Sequence, residues 1–256
     1  MKFRPVAVPL VTVDPFFSIW SCSDNLYDDY TKHWSGRPAP IMAGIYVDDV
    51  FYSMGASNSD LVQMRKRIYQ TNVKVSPLTT EYTFENEFAK VTLTFTTPLL
   101  LDRLDILSRP VSYIKYDVVK KCEDKEIKFV FGINARCCVD NGKQNVIFKK
   151  TDFSICCGNA EQNPLSKAGD NVMIDWGYLH LCDTNAKVLR CHGDETIIEE
   201  DINKEYNAYV DMPYIAVERN DESGVIMIAY DEIKPIEYFG KQLNEYYTKF
   251  FGSFEE

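Results

Sequence analysis

The chain has 256 residues, a length that suits one large domain or two small ones. Hydrophobic residues make up 45% and charged residues 26%, which is typical of a globular protein with a sizeable core. The formal net charge of −10 argues against a nucleic-acid partner, because a negative surface repels the phosphate backbone. No apolar run approaches the eighteen residues of a membrane-spanning helix, so we expect no membrane partner.

The N-terminal stretch MKFRPVAVPLVTVDPFF differs from a secretory signal peptide, because three prolines and Asp14 interrupt its apolar part. The eight cysteines include two adjacent pairs, Cys137–Cys138 and Cys156–Cys157. Neighbouring residues on a strand point to opposite faces, which favours packing over a shared disulfide. We therefore expect reduced thiols and a cytoplasmic protein.

Alternating apolar and polar residues predict strands in the N-terminal half, since side chains on a strand alternate between two faces. GIYVDDVFYSMG predicts a hairpin that turns at Asp48 and Asp49. The stretch SDLVQMRKRIYQT, from Ser59 to Thr71, instead has the character of a short helix. TNVKV, EYTFE and VTLTFT then return to the strand pattern.

The strand pattern continues through the middle of the chain. EIKFVFGINARCCV predicts a strand with one buried face, and it places Lys128, Asn134 and Arg136 on the opposite, polar face. Further strand candidates are SYIKYDVV, NVIFKKTDFSICC, VMIDWGYLHL, KVLRCHG, YNAYVDMPYIAVE and GVIMIAYDE. Many short strands without interleaved helices predict an all-β fold, a large antiparallel β-sandwich over residues 1–234.

Helical spacing is concentrated at the C-terminal end, in PIEYFGKQLNEYYTKFFGSF. The apolar residues Phe239, Leu243, Tyr246, Tyr247 and Phe250 follow the spacing of an amphipathic helix. We therefore predict a C-terminal linker helix over residues 235–256. Such a helix either packs on the sandwich, mediates self-association or leads to a further domain.

Common catalytic and cofactor signatures are absent from the sequence, including the dinucleotide loop, the phosphate loop and the nucleophile elbow. The nearest approach to a zinc site is Cys182 with Cys191 and His192, but these residues lack the close spacing of zinc ligands. His180 follows the alternation of a strand and is better explained as part of its face. We predict no cofactor, no metal and no catalytic residue in this chain.

The stretch DNLYDDYTKHWSG, residues 24–36, holds the strongest candidate binding residues. Asp28 and Asp29 are able to accept hydrogen bonds, and His33 is able to donate one. Trp34 offers a flat apolar face to a sugar ring or to another domain. The alternative is a polar turn after the strand FFSIWS, with Trp34 packed into the sandwich.

Four segments, in chain order, resemble the glutaminase A-like family, which is known from fungal and bacterial glutaminases. They are RPVAVPLVTVDPFFSIWSCSDNLYDDYTKHWSG, LSRPVSYIKYDV, NPLSKAGDNVMIDWGYLHL and YDEIKPIEYFGKQLNEYYTKFF. The resemblance implies a two-part enzyme, in which an N-terminal β-sandwich precedes an (α/α)6 helical toroid with most of the catalytic machinery. We therefore expect this chain to be the non-catalytic sandwich domain, and the toroid to be its partner.

The resemblance also implies a place for the residues of the 24–36 stretch. Asp28, Asp29, His33 and Trp34 would lie at the interface with the toroid or at the rim of its cleft. Two alternatives remain: a carbohydrate-binding sandwich, and a free-standing enzyme with a carboxylate site at Asp28, Asp29 and His33. The substrate of the parent enzyme stays open between glutamine, another amide and a glycoside, because a fold does not define a reaction.

Overall fold

The structure, a computed structural model, describes residues 5–56, 66–167, 169, 172–191, 197–254 and 256. Regular structure in these ranges is almost entirely β-strand, which confirms the all-β prediction. The strands of the first half are β1 (Val8–Thr12), β2 (Ser18–Ser21), β3 (Ile41–Val47), β4 (Val50–Ser53), β5 (Tyr69–Val75), β6 (Thr79–Glu85), β7 (Ala89–Thr96), β8 (Val111–Lys120) and β9 (Ile127–Asn134).

The second half continues with shorter strands. They are β10 (Asn145–Lys150), β11 (Ile155–Asn159), β12 (Tyr178–Leu181), β13 (Lys187–Cys191), β14 (Ile197–Glu199), β15 (Tyr206–Asn207), β16 (Tyr214–Arg219), β17 (Ser223–Asp231), β18 (Ile236–Tyr238) and β19 (Lys241–Leu243). Helical structure in the described ranges consists of α1 (Leu104–Leu107) and two 3-10 turns, Ala135–Cys138 and Tyr246–Lys249. None of the described helices has the length and apolar character needed to cross a bilayer.

Two large sheets form the sandwich. One has nine strands in the order β15-β10-β11-β12-β17-β8-β7-β6-β5, and the other has six in the order β14-β13-β16-β9-β3-β4. Neighbouring strands within each sheet are antiparallel. The predicted hairpin at Asp48 and Asp49 is confirmed as β3–β4. A small β1–β2 sheet and a β18–β19 hairpin complete the described strands.

The main core lies between the two large sheets. Rings from β8 and β9 stack across it, with the centroids of Tyr116 and Phe129 4.3 Å apart. Phe95 on β7 and Phe131 on β9 meet in the same layer, and all four rings are buried. The same hydrophobic cluster contains Val8 near one end of the chain and Tyr230 near the other. Burial of this apolar surface is the main stabilising term of the fold.

The prediction of a single buried face on β9 is wrong. A second, smaller cluster covers the other face, where Val130 packs with Met42, Leu189, Tyr214 and Ala216. Asn134, predicted on a polar face, is fully buried. Its side chain accepts a hydrogen bond from the Arg136 N–H and donates one to the Met212 carbonyl, so its polar atoms are paired inside the protein.

The prediction of a C-terminal helix over residues 235–256 is also wrong. The segment forms the β18–β19 hairpin and then a 3-10 turn. Phe239 and Gly240 both have positive φ, 48° and 75°, which matches a two-residue hairpin turn and is incompatible with a helix. The helical spacing of the apolar residues misled the sequence reading, because a local turn overrides side-chain periodicity.

The end of the chain folds back onto the sandwich. Tyr247 is buried, and the rings of Phe254 and His180 lie 4.6 Å apart. The guanidinium of Arg109 lies 4.5 Å from the ring centroid of Phe251. The predicted short helix over Ser59–Thr71 falls mostly outside the described residues, and its last part is wrong because β5 begins at Tyr69.

We predict that Gly177→Ala destabilises the protein far more than Gly240→Ala. Both glycines have positive φ, which costs an alanine about 1–2 kcal/mol. A Cβ at Gly177 would also overlap the carbonyl oxygen of Asp231, whereas a Cβ at Gly240 meets open space. Urea unfolding should give a loss of at least about 3 kcal/mol for Gly177→Ala. Equal losses for the two variants would contradict the packing described for β12 against β17.

Candidate functional site

The two acids of the 24–36 stretch belong to a local turn. Asp28 accepts hydrogen bonds from the backbone and side-chain N–H groups of Asn25, at 3.0 and 2.9 Å. Asp29 accepts one from the Tyr30 N–H and forms an exposed ion pair with Lys32, with 2.7 Å between the charged atoms. These contacts define the turn itself, and neither acid lines the cleft described below.

His33 and Trp34 both donate a hydrogen bond to one backbone carbonyl, that of Pro15. The buried His33 ring donates from Nε2 to this oxygen at 3.0 Å, while Nδ1 contacts the Ser35 hydroxyl at 2.8 Å. Burial lowers the pKa of His33, which keeps its ring neutral near pH 7. Trp34 donates its Nε1–H to the same Pro15 oxygen. The pair therefore fastens this loop to the turn between β1 and β2.

Trp34 stays 51% exposed and forms one wall of a shallow cleft of about 390 Å³. We name it the tryptophan cleft, and its lining consists of Thr12, Asp14, Pro15, Ser18, Trp20 and Trp34. The residues come from the end of β1, the following turn, β2 and the loop after it. The structure thus brings Trp34, a residue predicted from sequence, to a concave surface that holds a carboxyl group and a second indole.

Two enclosed polar atoms have no hydrogen-bond partner, and they belong to residues that line the tryptophan cleft. They are the hydroxyl oxygen of Ser18 and the indole Nε1 of Trp20, and both are enclosed. Leaving such a group dehydrated and unpaired costs about 1–3 kcal/mol. The fold therefore tolerates a local instability beneath the cleft.

Behind the tryptophan cleft lies a carboxyl cluster of Asp14, Glu232 and Glu245. One oxygen of Asp14 accepts hydrogen bonds from the N–H groups of Phe16 and Phe17, at 2.6 and 2.9 Å. The Asp14 side chain also makes a hydrogen-bonded contact with that of Glu232. Glu245 accepts a hydrogen bond from the backbone N–H of Glu232 at 3.1 Å.

Burial is the main cause of the raised pKa values in this cluster. It raises the pKa of Glu232 to about 9, and the negative charge of Asp14 adds to the effect. Burial also raises the pKa of Asp14 and of Glu245. Near pH 7 Glu232 therefore keeps its proton and donates it to Asp14. The pair shares one proton, as two neighbouring carboxyl groups in a dry environment generally do.

The backbone beside Glu232 is strained. Ile233 has a φ of 61°, a conformation that is rare for a β-branched residue and costs about 1–3 kcal/mol. The Ile233 N–H donates to the Asp231 side chain at 2.9 Å, which helps to hold this conformation. Strained backbone concentrates at functional sites, and here it falls one residue after the buried Glu232.

The sequence reading missed Asp14, Glu232 and Glu245 as site residues. A signal was present, since Asp14 interrupts the apolar run VTVDPFF and Glu232 is the last residue of the mainly apolar stretch GVIMIAYDE. An acid at the end of a buried strand is a candidate for an inward-facing carboxyl group. Nothing in the sequence pairs the two acids, however, because they lie near opposite ends of the chain.

The structure also places the other residues that the sequence raised. Cys182 follows β12 in the nine-stranded sheet, whereas Cys191 ends β13 in the six-stranded sheet; His192 lies outside the described residues. Among the described residues, no group of three His, Cys, Asp or Glu side chains is arranged to hold a metal ion. The ring of His180 is buried and contacts the Ser154 hydroxyl at 2.9 Å.

A second cavity, of about 300 Å³, lies where the C-terminal segment folds back onto the sandwich. Its walls are mainly apolar and aromatic, and its cation, Arg109, is already stacked on Phe251. The tryptophan cleft is the stronger candidate site, because it combines an exposed indole with the side chain of Asp14, a carboxyl group whose pKa is raised.

Comparison with protein families places the chain in a family without an assigned function. Residues 78–256 match the family described as "Domain of unknown function (DUF5127)", and the chain belongs to this family. Residues 1–66 match a second family, "Domain of unknown function (DUF4964)". No curated protein matches the chain. Neither matched family carries a glutaminase description, so that resemblance stays a prediction.

The two family matches meet at the candidate site. Every residue that lines the tryptophan cleft lies within residues 1–66, and Glu232 and Glu245 lie within residues 78–256. The contact between Asp14 and Glu232 therefore joins the two matched segments. The lining of the cleft thus comes from the first segment alone, whereas the carboxyl cluster needs both.

We predict that Glu232→Gln removes a pH dependence of stability. Between its ordinary pKa of 4.5 and the folded value of about 9, Glu232 takes up a proton on folding. Its contribution is thus complete below pH 4.5 and is lost as the pH rises towards 9, by at most about 1.4 kcal/mol per pH unit. A glutamine still donates to Asp14 without needing a proton, so the variant should gain on the wild type as pH rises.

Urea unfolding at pH 5, 7 and 9 measures this difference. The matched control is Glu237→Gln, a substitution of an exposed glutamate on β18, which should follow the wild type at every pH. Parallel stability curves for wild type and Glu232→Gln would show that Glu232 is ionised in the folded protein.

Proposed function

We propose that this chain is the non-catalytic β-sandwich domain of a hydrolytic enzyme, and that it docks a helical (α/α)6 domain that carries the catalytic residues. The resemblance to glutaminase A-like proteins supplies the class of enzyme and of partner. The observation that carries the proposal is an apolar surface on the C-terminal hairpin, because a domain that works alone has no use for it.

The apolar hairpin consists of the exposed residues of β18, β19 and their turn: Ile236, Tyr238, Phe239 and Leu243. Phe239, at the tip, is 92% exposed. Clustered apolar side chains of this kind on a folded protein mark a surface that another protein covers. The 3-10 turn that follows adds the exposed rings of Tyr246 and Phe250 on the same segment.

The acids in and near the tryptophan cleft also favour a non-catalytic role for this chain. Asp14 in the cleft lining shares a proton with Glu232 behind it, whereas glycoside hydrolysis uses two carboxyl groups about 5–10 Å apart. Asp28 and Asp29 are engaged in a local turn. We therefore expect the isolated chain to release no ammonia from glutamine and to cleave no glycoside.

Titration with a separately expressed (α/α)6 domain of a glutaminase A-like enzyme tests the proposal. The chain should bind it, and Tyr238→Ser should weaken binding about tenfold, because loss of one buried aromatic ring at an interface costs about 1–2 kcal/mol. The matched control is Tyr69→Ser on β5. The two tyrosines are 63% and 62% exposed, but Tyr69 lies on the far edge of the nine-stranded sheet.

Isothermal titration calorimetry gives the affinities, and an ammonia-release assay on the chain alone gives the activity. Equal affinity for both tyrosine variants would contradict docking through the apolar hairpin. Hydrolysis of glutamine by the purified chain, abolished by Asp14→Asn, would contradict the non-catalytic assignment.

We further propose a reducing, cytoplasmic location. All eight cysteines are free thiols, and the sulfurs of Cys138 and Cys157 lie 3.5 Å apart in the core without a covalent bond. Such a close pair would oxidise readily in a secretory compartment. Protein purified without reductant from a cytoplasmic expression host should show eight reactive thiols after unfolding. Six thiols and a Cys138–Cys157 bond in fresh cell extracts would contradict this location.

A further inference from the structure

The second cavity, of about 300 Å³, lies between the outer face of the nine-stranded sheet and the C-terminal segment, and we name it the C-terminal cavity. Its sheet wall consists of side chains at alternate positions of β8 and β17: Val111, Tyr113, Met227 and Ala229. The residues between them, such as Ile226 and Ile228, belong to the main core. The opposite wall consists of three rings of the C-terminal segment: Tyr247, Phe251 and Phe254.

The C-terminal segment is anchored on both sides of this cavity. Tyr247 is buried, and the ring of Phe254 lies 6.2 Å from that of Phe153 and 4.6 Å from that of His180. The thiol of Cys182 in the wall is neutral near pH 7, because burial raises its pKa to about 11. The folded chain therefore forms a mainly apolar cavity by itself, with a volume at the lower end of the range for small-ligand sites.

Arg109 supplies the positive charge of the C-terminal cavity. Its guanidinium lies over the ring of Phe251, 4.5 Å from the centroid, which fixes the plane of its donors. No ion pair or hydrogen bond joins this guanidinium to another residue that the structure describes. The nearby acid Asp105 is instead bound by Arg103, through hydrogen bonds of 3.0 and 2.7 Å.

The terminal amino groups of Arg109 are the donors that a ligand is able to reach. The Nε atom is enclosed, but the enclosed and unpaired atoms of the described residues include neither terminal nitrogen. Since these two nitrogens also have no partner among the described residues, they lie at the accessible surface. A guanidinium that stacks by its face keeps N–H groups at its edge, where a carboxylate accepts two of them side by side.

One acid in the cavity limits the choice of anion. The Glu256 carboxylate accepts a hydrogen bond from the Gly252 N–H at 2.7 Å and forms no ion pair with Arg109. It therefore does not neutralise Arg109, but it would repel a second negative charge on a ligand. A dicarboxylate meets this repulsion, and an amine meets the charge of Arg109. A monocarboxylate avoids both conflicts.

We propose that the C-terminal cavity binds a small monocarboxylate with an apolar body, whose carboxylate pairs with the terminal amino groups of Arg109 and whose body lies between Phe254 and Met227. The volume of about 300 Å³ suits a body of one aromatic ring or a short alkyl chain. None of the residues that line the cavity belongs to the apolar hairpin or to the tryptophan cleft. The inference therefore stands independently of the function proposed above.

Isothermal titration calorimetry of the 256-residue chain tests the proposal. The carboxylate probes are phenylacetate and hexanoate, and their neutral counterparts are phenylacetamide and hexanamide. Acetate lacks an apolar body, adipate adds a second carboxylate to the chain of hexanoate, and benzylamine carries the opposite charge. At least one of the two carboxylates should bind saturably, and at least about tenfold more tightly than its amide. Acetate, adipate and benzylamine should give no heat.

Two substitutions of Arg109 locate the site. Arg109→Gln should lower the affinity for the carboxylate to that of the matching amide, while the amide itself binds as before. A collapse of the cavity would lower both affinities, so the comparison separates a binding role of Arg109 from a structural one. Arg109→Lys keeps the charge but loses the paired donors, and it should bind the carboxylate with an intermediate affinity.

The matched control is Lys249→Gln. Lys249 is also a cation stacked on a ring of the C-terminal segment, 4.3 Å from the centroid of Tyr246, but it is exposed and does not line the cavity. Its substitution removes the same charge from the same segment and should leave carboxylate binding unchanged.

Three results would overturn the proposal. They are the absence of heat from both carboxylates, amides that bind as tightly as the carboxylates, and a carboxylate affinity that Arg109→Gln leaves unchanged. Circular dichroism of each variant should match the wild type.

Discussion

The contact between Asp14 and Glu232 is the interaction on which the candidate site depends. Asp14 orders the turn after β1 by accepting the N–H groups of Phe16 and Phe17. The Pro15 carbonyl in that turn then receives the donors of His33 and Trp34. A buried carboxylate is stable only when it is paired, and the proton held by Glu232 meets this requirement. The position of Trp34 thus follows from the turn that Asp14 orders.

The same cluster connects the cleft to the apolar hairpin. Glu232 precedes β18 and Glu245 follows β19, and the hydrogen bond from the Glu232 N–H to Glu245 closes the base of the hairpin. The tryptophan cleft and the apolar hairpin are therefore different surfaces that are connected by the same carboxyl cluster. A protein that covers the hairpin would therefore contact structure held by these carboxyl groups.

Sequence patterns predict most of this fold, because apolar and polar side chains alternate along a half-buried strand. The β3–β4 hairpin and the sandwich follow from that rule. The rule fails at Asn134, where hydrogen bonds to the backbone allow a polar side chain into a buried face. It also fails after Pro235, where two residues of positive φ impose a turn on an apolar pattern of helical spacing.

The candidate site is only partly predictable. Trp34 and His33 stand out because aromatic and polar residues cluster in the 24–36 stretch, and the structure brings both to the turn after β1. Asp28 and Asp29 share that composition but serve a local turn. Asp14 and Glu232 were missed, since their pairing depends on β1 and β17 ending at the same place in the folded chain.

The central claim is that Glu232 is protonated in the folded protein and shares its proton with Asp14. Carbon-13 NMR of the glutamate carboxyl carbons, assigned with Glu232→Gln, follows the titration of this group directly. The Glu232 signal should keep the shift of a protonated acid at pH 7 and titrate with a pKa of about 9. Titration near the ordinary value of 4.5 would contradict it.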